Sequence, residues 1–187
     1  MSELAERVEL HAAGAWPPLP YEAWKDTLYA IHRWSQILGK IRLANTPLVN
    51  HSWNSTLQVS PRGLTTGLVP SGAEAFQIDL DLVEHELAIT SSRGERTAMP
   101  LRSMSVAQFY REVLDSLARV GMQDPHIVGV PNEVAIAIPF RKDVEIRPYD
   151  RDQVGRFATA LLRTHVVFER FRAGFLGKAS PVQFFWG

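Results

Sequence analysis

Hydrophobic and polar positions along the chain change period three times, and those changes outline its elements. From about Tyr21 to Leu43, residues Trp24, Leu28, Ile31, Trp34, Ile37, Leu38 and Ile41 cover one half of a helical circumference at about 100° per residue. The stiff Trp16-Pro17-Pro18-Leu19-Pro20 stretch precedes this first helix, and Pro47 lies beyond its end. A period near two then takes over. Trp53 to Ser60 alternates weakly, and Ser60-Pro61-Arg62-Gly63 turns the chain into Leu64–Val69. Phe76, Ile78, Leu80 and Leu82 alternate with Gln77, Asp79, Asp81 and Val83, as in a half-buried strand. A turn near Glu84-His85-Glu86 predicts a return through Leu87–Thr90, with an edge strand at Thr97–Leu101.

The helical period resumes at Val106–Val120, where Phe109, Val113, Leu117 and Val120 lie on one side. Ser105 is placed to cap this second helix and Gly121 to stop it. Residues 123–149 contain four prolines and read as short strands in irregular connections. A third helix is predicted over about Arg151–Phe175, introduced by Asp150. Helix, sequential hairpin-like strands and further helices together predict an α+β fold with a largely antiparallel sheet and about three main helices. Length predicts one globular domain over residues 1–187, with residues 1–15 as an acidic, Ala-rich and disordered lead-in.

Charge narrows the function classes. Twenty basic residues balance twenty acidic ones, which argues against a general nucleic-acid binder. There is no cysteine, so disulfides and thiolate metal sites are excluded. The opening residues lack a signal-peptide pattern and no apolar run has spanning length, so a cytoplasmic protein without membrane attachment is expected. No Gly-rich phosphate loop, HExxH pair or GxSxG elbow occurs, and neither a cofactor nor a metal is expected.

Candidate chemistry gathers on the first helix and the loop after it. His32, Gln36 and Lys40 recur at i, i+4 and i+8 and stack along one stripe, with Lys25 on the same side. Asn50-His51-Ser52-Trp53 and Arg62 follow. Cations beside indoles hold an anion, and a histidine among them moves a proton near neutral pH. The expected catalytic residues are therefore His32, His51 and Lys40. Lys25, Gln36, Arg62, Trp34 and Trp53 are expected to bind substrate, with all of these groups around one cavity. The competing reading is an amphipathic helix with a solvated polar edge. His165 falls on one face with Val154, Phe157, Leu161, Phe168 and Arg172, so a buried, hydrogen-bonded imidazole is predicted there. Asp79 and Asp81, with Glu84, His85 and Glu86 beyond, are either a carboxylate pair for acid–base work or a hard cation, or an exposed strand face ending in a polar turn.

Several segments resemble an uncharacterised bacterial family of unknown function. They are residues 16–27, His32 to Lys40, Val49-Asn50-His51, Arg62 to Thr66, Phe76 to Asp79 and Phe175 to Gly187. The resemblance runs from Trp16 through nearly the whole chain and brings no assigned catalytic residue. In the family pattern, histidines are usual at the places of Asn54 and Gln183, and Trp at that of Ser52, which weakens a metal-site reading here. Family members also run on into a further aromatic-rich region. The resemblance thus implies a shortened or split member, and a second polypeptide is expected to cover Phe184, Phe185 and Trp186.

Two functions are weighed. One is a subunit of a small-molecule-transforming enzyme with a cationic His/Trp pocket for an anionic substrate. In a split two-protein form it is similar in outline to aziridine-forming ring-closure enzymes of natural-product biosynthesis, which expel an anionic group such as sulfate. The other is a non-catalytic ligand-binding or assembly module using the same pocket.

Overall fold

A computed structural model describes residues 16–122 and 124–186; the expected lead-in, residues 1–15, lies outside the described residues. Helix α1 spans Tyr21–Asn45. Six strands follow: β1 (Gln58–Ser60), β2 (Gly63–Thr65), β3 (Val69–Ser71), β4 (Glu74–Asp81), β5 (Glu86–Ser91) and β6 (Arg96–Pro100). Helix α2 spans Val106–Arg119 and helix α3 spans Arg151–Ala173. The strands form one antiparallel sheet in the order β1-β2-β4-β5-β6, with β3 also paired to β4, so the protein is α+β. Residues 123–149 depart from expectation. Among the described residues they hold no strand, only a 3-10 turn at Phe140–Lys142 and a bridge from Arg147 to Met104.

The sheet obeys its alternation. Phe76, Ile78 and Leu80 of β4 are buried, with Leu64, Leu87, Ile89 and Met99 from its neighbours, while Gln77 between them is exposed. Both shorter helices carry the expected caps. Ser105 Oγ accepts from the Gln108 amide at 3.1 Å, and Asp150 Oδ1 accepts from the Asp152 and Gln153 amides at 3.0 and 3.1 Å. Gly121, at φ +73°, ends α2 in the left-handed conformation that glycine tolerates best.

Helix α1 is the exception to a one-sided pattern. From Ala30 to Ile41 only His32 is not fully buried, so both its faces are covered. Trp34 stacks on Phe109 at 4.6 Å between centroids on one side. On the other side lies the C-terminal segment. Leu57 and Phe184 exchange both backbone hydrogen bonds, at 3.0 and 2.7 Å, and Trp186 is buried beyond them. The Trp186 indole N–H donates to the Ser55 carbonyl at 2.6 Å.

Candidate functional site

The polar stripe of α1 is spent on that second layer of packing. Arg33 donates to His32 Nδ1 at 3.1 Å, which places the ring proton on Nε2, where it is donated to the Trp186 carbonyl at 2.9 Å. The 3.2 Å approach of Gln36 Nε2 to the same nitrogen is then a contact between two donors. Gln36 directs its amide to the backbone of Asn132, donating at 2.9 Å and accepting at 2.7 Å. Lys40 donates to Asn132 Oδ1 at 2.9 Å and lies 5.6 Å from the centre of the Trp186 ring. Burial lowers its pKa. These three side chains hold residues 132 and 186 against the helix rather than lining a cavity with His51 or Arg62.

The remaining expected residues scatter. Lys25 is exposed and paired with Glu22 at 2.7 Å. Arg62 lies in the turn between β1 and β2 and is bonded to Asp81. Asp81 is itself a turn anchor whose Oδ1 accepts the Val83 and Glu84 amides at 2.9 Å. Burial alone would raise its pKa, but those amides and Arg62 outweigh it and hold the carboxyl below its ordinary value. Trp34 belongs to the core. Trp186 is buried by this chain itself, Phe184 is half-buried, and Phe185 remains 51% exposed.

His32 has a testable pH signature. Burial, with a smaller contribution from Arg33, lowers its pKa below 6.5 despite the opposing Trp186 carbonyl. The unfolded chain therefore takes up the proton first as pH falls. The stability that neutral His32 contributes is present above the unfolded value of 6.5 and is lost as pH drops through the folded one. His85 shifts the same way, through burial and then Arg151. Urea midpoints at pH 7.5 and 5.5 should therefore fall less in His32→Gln than in the unsubstituted protein; an unchanged pH dependence would remove this role from His32.

Two concavities lie past the C-terminal end of α1, on either side of Trp53 and residues 181–183. One lobe, about 520 Å³, is walled by Arg42 and Thr46 of α1 and its exit, Val49, Trp53 and Asn54, β1, β3, His165 of α3, and Pro181, Val182 and Gln183. The other, about 500 Å³, is walled by His51, Trp53, Phe168, Phe171, Arg172, Phe175 and residues 179–183 with Phe185. The two lobes share Trp53, Pro181, Val182 and Gln183. Among the described residues lining them there are two arginines and two histidines and no carboxylate. Of the residues expected at a site, only His51 and Trp53 are here.

Arg42 is the unusual group. Its Nη1 donates to the Thr56 carbonyl at 2.6 Å, and its Nε is buried without a hydrogen-bond partner. It forms no ion pair among the described residues. Burial lowers its pKa, and no neighbouring charge offsets that cost. His165 is only half-buried, not buried in the core as expected, because α3 buries Val154 alone and leaves Phe168 of the same face exposed; its Nδ1 is buried without the expected partner. Around them the loop is stapled. Asn54 Oδ1 accepts from the Val49 amide at 3.3 Å, its Nδ2 donates to Thr46 Oγ1 at 3.2 Å, and Gln183 Oε1 accepts from Thr56 Oγ1 at 2.7 Å. His51 and Ser52 are both left-handed, at φ 53° and 60°, a strained pair for residues with side chains. Sequence spacing gave no signal for Arg42, which reads as an ordinary basic residue at a helix C-terminus.

A family model for a family of unknown function, DUF5996, matches residues 16–187. The chain belongs to that family. No curated protein and no solved structure matches it. Among the described residues of this DUF5996 chain, no group of three or more His, Asp and Glu side chains is placed to hold a metal ion, and no helix is long and apolar enough to cross a membrane.

Proposed function

We propose that the lobe holding Arg42 and His165 binds a small anionic molecule and acts on it. The observation that carries this reading is a half-buried guanidinium whose Nε is buried without a partner and which forms no ion pair among the described residues, in a cavity of ligand size. Burying a cation alone is costly, and an anion in the cavity would supply the missing counter-charge. Gln183, whose oxygen is already bonded to Thr56, has its amide N–H groups for the same ligand.

The pair also suits the chemistry of an enzyme subunit that displaces an anionic leaving group. In such a step an amine of the substrate attacks carbon, its lone pair forms the C–N bond, and the C–O bond to a sulfate breaks. The sulfate leaves with that electron pair and the amine proton passes to the imidazole of His165. Arg42 lowers the barrier by holding the negative charge that develops on the departing oxygen. A ligand-binding module without turnover would use Arg42 alike and leave His165 idle.

Calorimetric titration with sulfate, phosphate and propanoate tests the binding reading. At least one of these should bind, and Arg42→Met should weaken it about 10- to 100-fold, the worth of a charge-assisted hydrogen bond. Equal affinity in Arg42→Met, or no binding of any of them, would dismiss Arg42 as an anion site.

A further inference from the structure

The second lobe defines the rest of the ligand. Resting on the anion site just described, we infer that the ligand is an aryl-bearing anion, with its charged head at Arg42 and its ring in the lobe lined by Trp53, Phe168, Phe171, Phe175 and Phe185. Three observations meet here. The lobes adjoin, since Trp53, Pro181, Val182 and Gln183 wall both of them. The second lobe adds about 500 Å³, room for a ring system beyond a small head group. Its aromatics are left open to solvent, with Phe171 88% and Phe168 55% exposed, although the core of this protein has taken in its other large apolar side chains on the sheet and on α2.

Ring shape is the selective element. Five aromatic side chains around one hollow offer faces and edges that an incoming ring meets by offset stacking or edge-to-face contact, which a flexible alkyl chain does not reproduce. His51, whose ring lies 6.4 Å from that of Trp53, extends the same surface. The strained left-handed turn at His51 and Ser52 sets where these two rings stand. An alkyl anion would use the apolar area alone and gain less from it.

The experiment is an affinity series on the full chain at one head group: propanoate, hydrocinnamate, naphthylpropanoate and octanoate, followed by ligand-observed NMR and calorimetry. Each added ring should tighten binding about tenfold over propanoate, and octanoate should fall below naphthylpropanoate. The double substitution Phe171→Ser with Phe175→Ser, at solvent-facing positions, should erase the aryl gain and leave propanoate affinity unchanged. A flat series, an octanoate affinity equal to that of naphthylpropanoate, or an aryl gain that survives the double substitution would overturn the inference while the anion site stands. Loss of the Arg42 dependence of propanoate binding itself would overturn both.

Discussion

Gly39→Ala should destabilise the protein by about 3–5 kcal/mol, the cost of losing a large buried aromatic. A Cβ built on Gly39 would stand 1.7 Å from Nε1 and 2.1 Å from Cε2 of Trp186. No adjustment of a few tenths of an ångström relieves that, so the indole must leave. With it go the bond to Ser55 and the ring beside Lys40. Trp186→Ala should cost a similar amount, and the double variant should be little worse than either single one, because both remove the same packing. Urea unfolding of the three variants measures this. Additive losses, or a Gly39→Ala effect within about 1 kcal/mol, would show that Trp186 seats elsewhere.

Trp34→Ala should also cost about 3–5 kcal/mol, for a different reason. The ring is fully buried, stacked on Phe109 at 4.6 Å and on Tyr149 at 5.7 Å, so its removal leaves a hole at the centre of the helix layer. Its indole N–H is buried without a partner, so Trp34→Phe gives up no hydrogen bond and should lose far less. Anion affinity of the folded fraction should be the same in both variants as in the parent. A ligand defect without a stability defect would put Trp34 back among the binding residues.

Trp34 also marks the boundary of what the sequence could show. Where burial has one side, its period is visible: the alternation of β4 and the stripe of α2 read directly, as do the starts at Ser105 and Asp150 and the stop at Gly121, because each is a local backbone demand. Helix α1 is covered on two sides, and a polar stripe under a second layer has the same spacing as one facing water or a cavity. His32, Gln36 and Lys40 therefore looked like a site, when their partners are Trp186 and Asn132, far off in sequence. Among the described residues, 123–149 are irregular connections without the short strands expected among them, because prolines and scattered apolar residues do not distinguish an edge strand from an irregular connection. The cleft was legible only at His51, Trp53 and the placement of His165. Arg42 becomes distinctive through the carboxylate it lacks, and that is a property of neighbours brought together by folding.

The bridge between Leu57 and Phe184 carries a consequence for motion. It is one pair of backbone hydrogen bonds, reinforced by the seated Trp186, and it holds the segment that walls both lobes. Releasing those few contacts would dissolve the cleft while the sheet stays intact, so the cleft should open far more often than the protein unfolds. A ligand that grips residues 181–183 would oppose that opening. Its imprint should be slowed deuterium uptake at the amides of Leu57 and Phe184, with β4 and β5 exchanging as before.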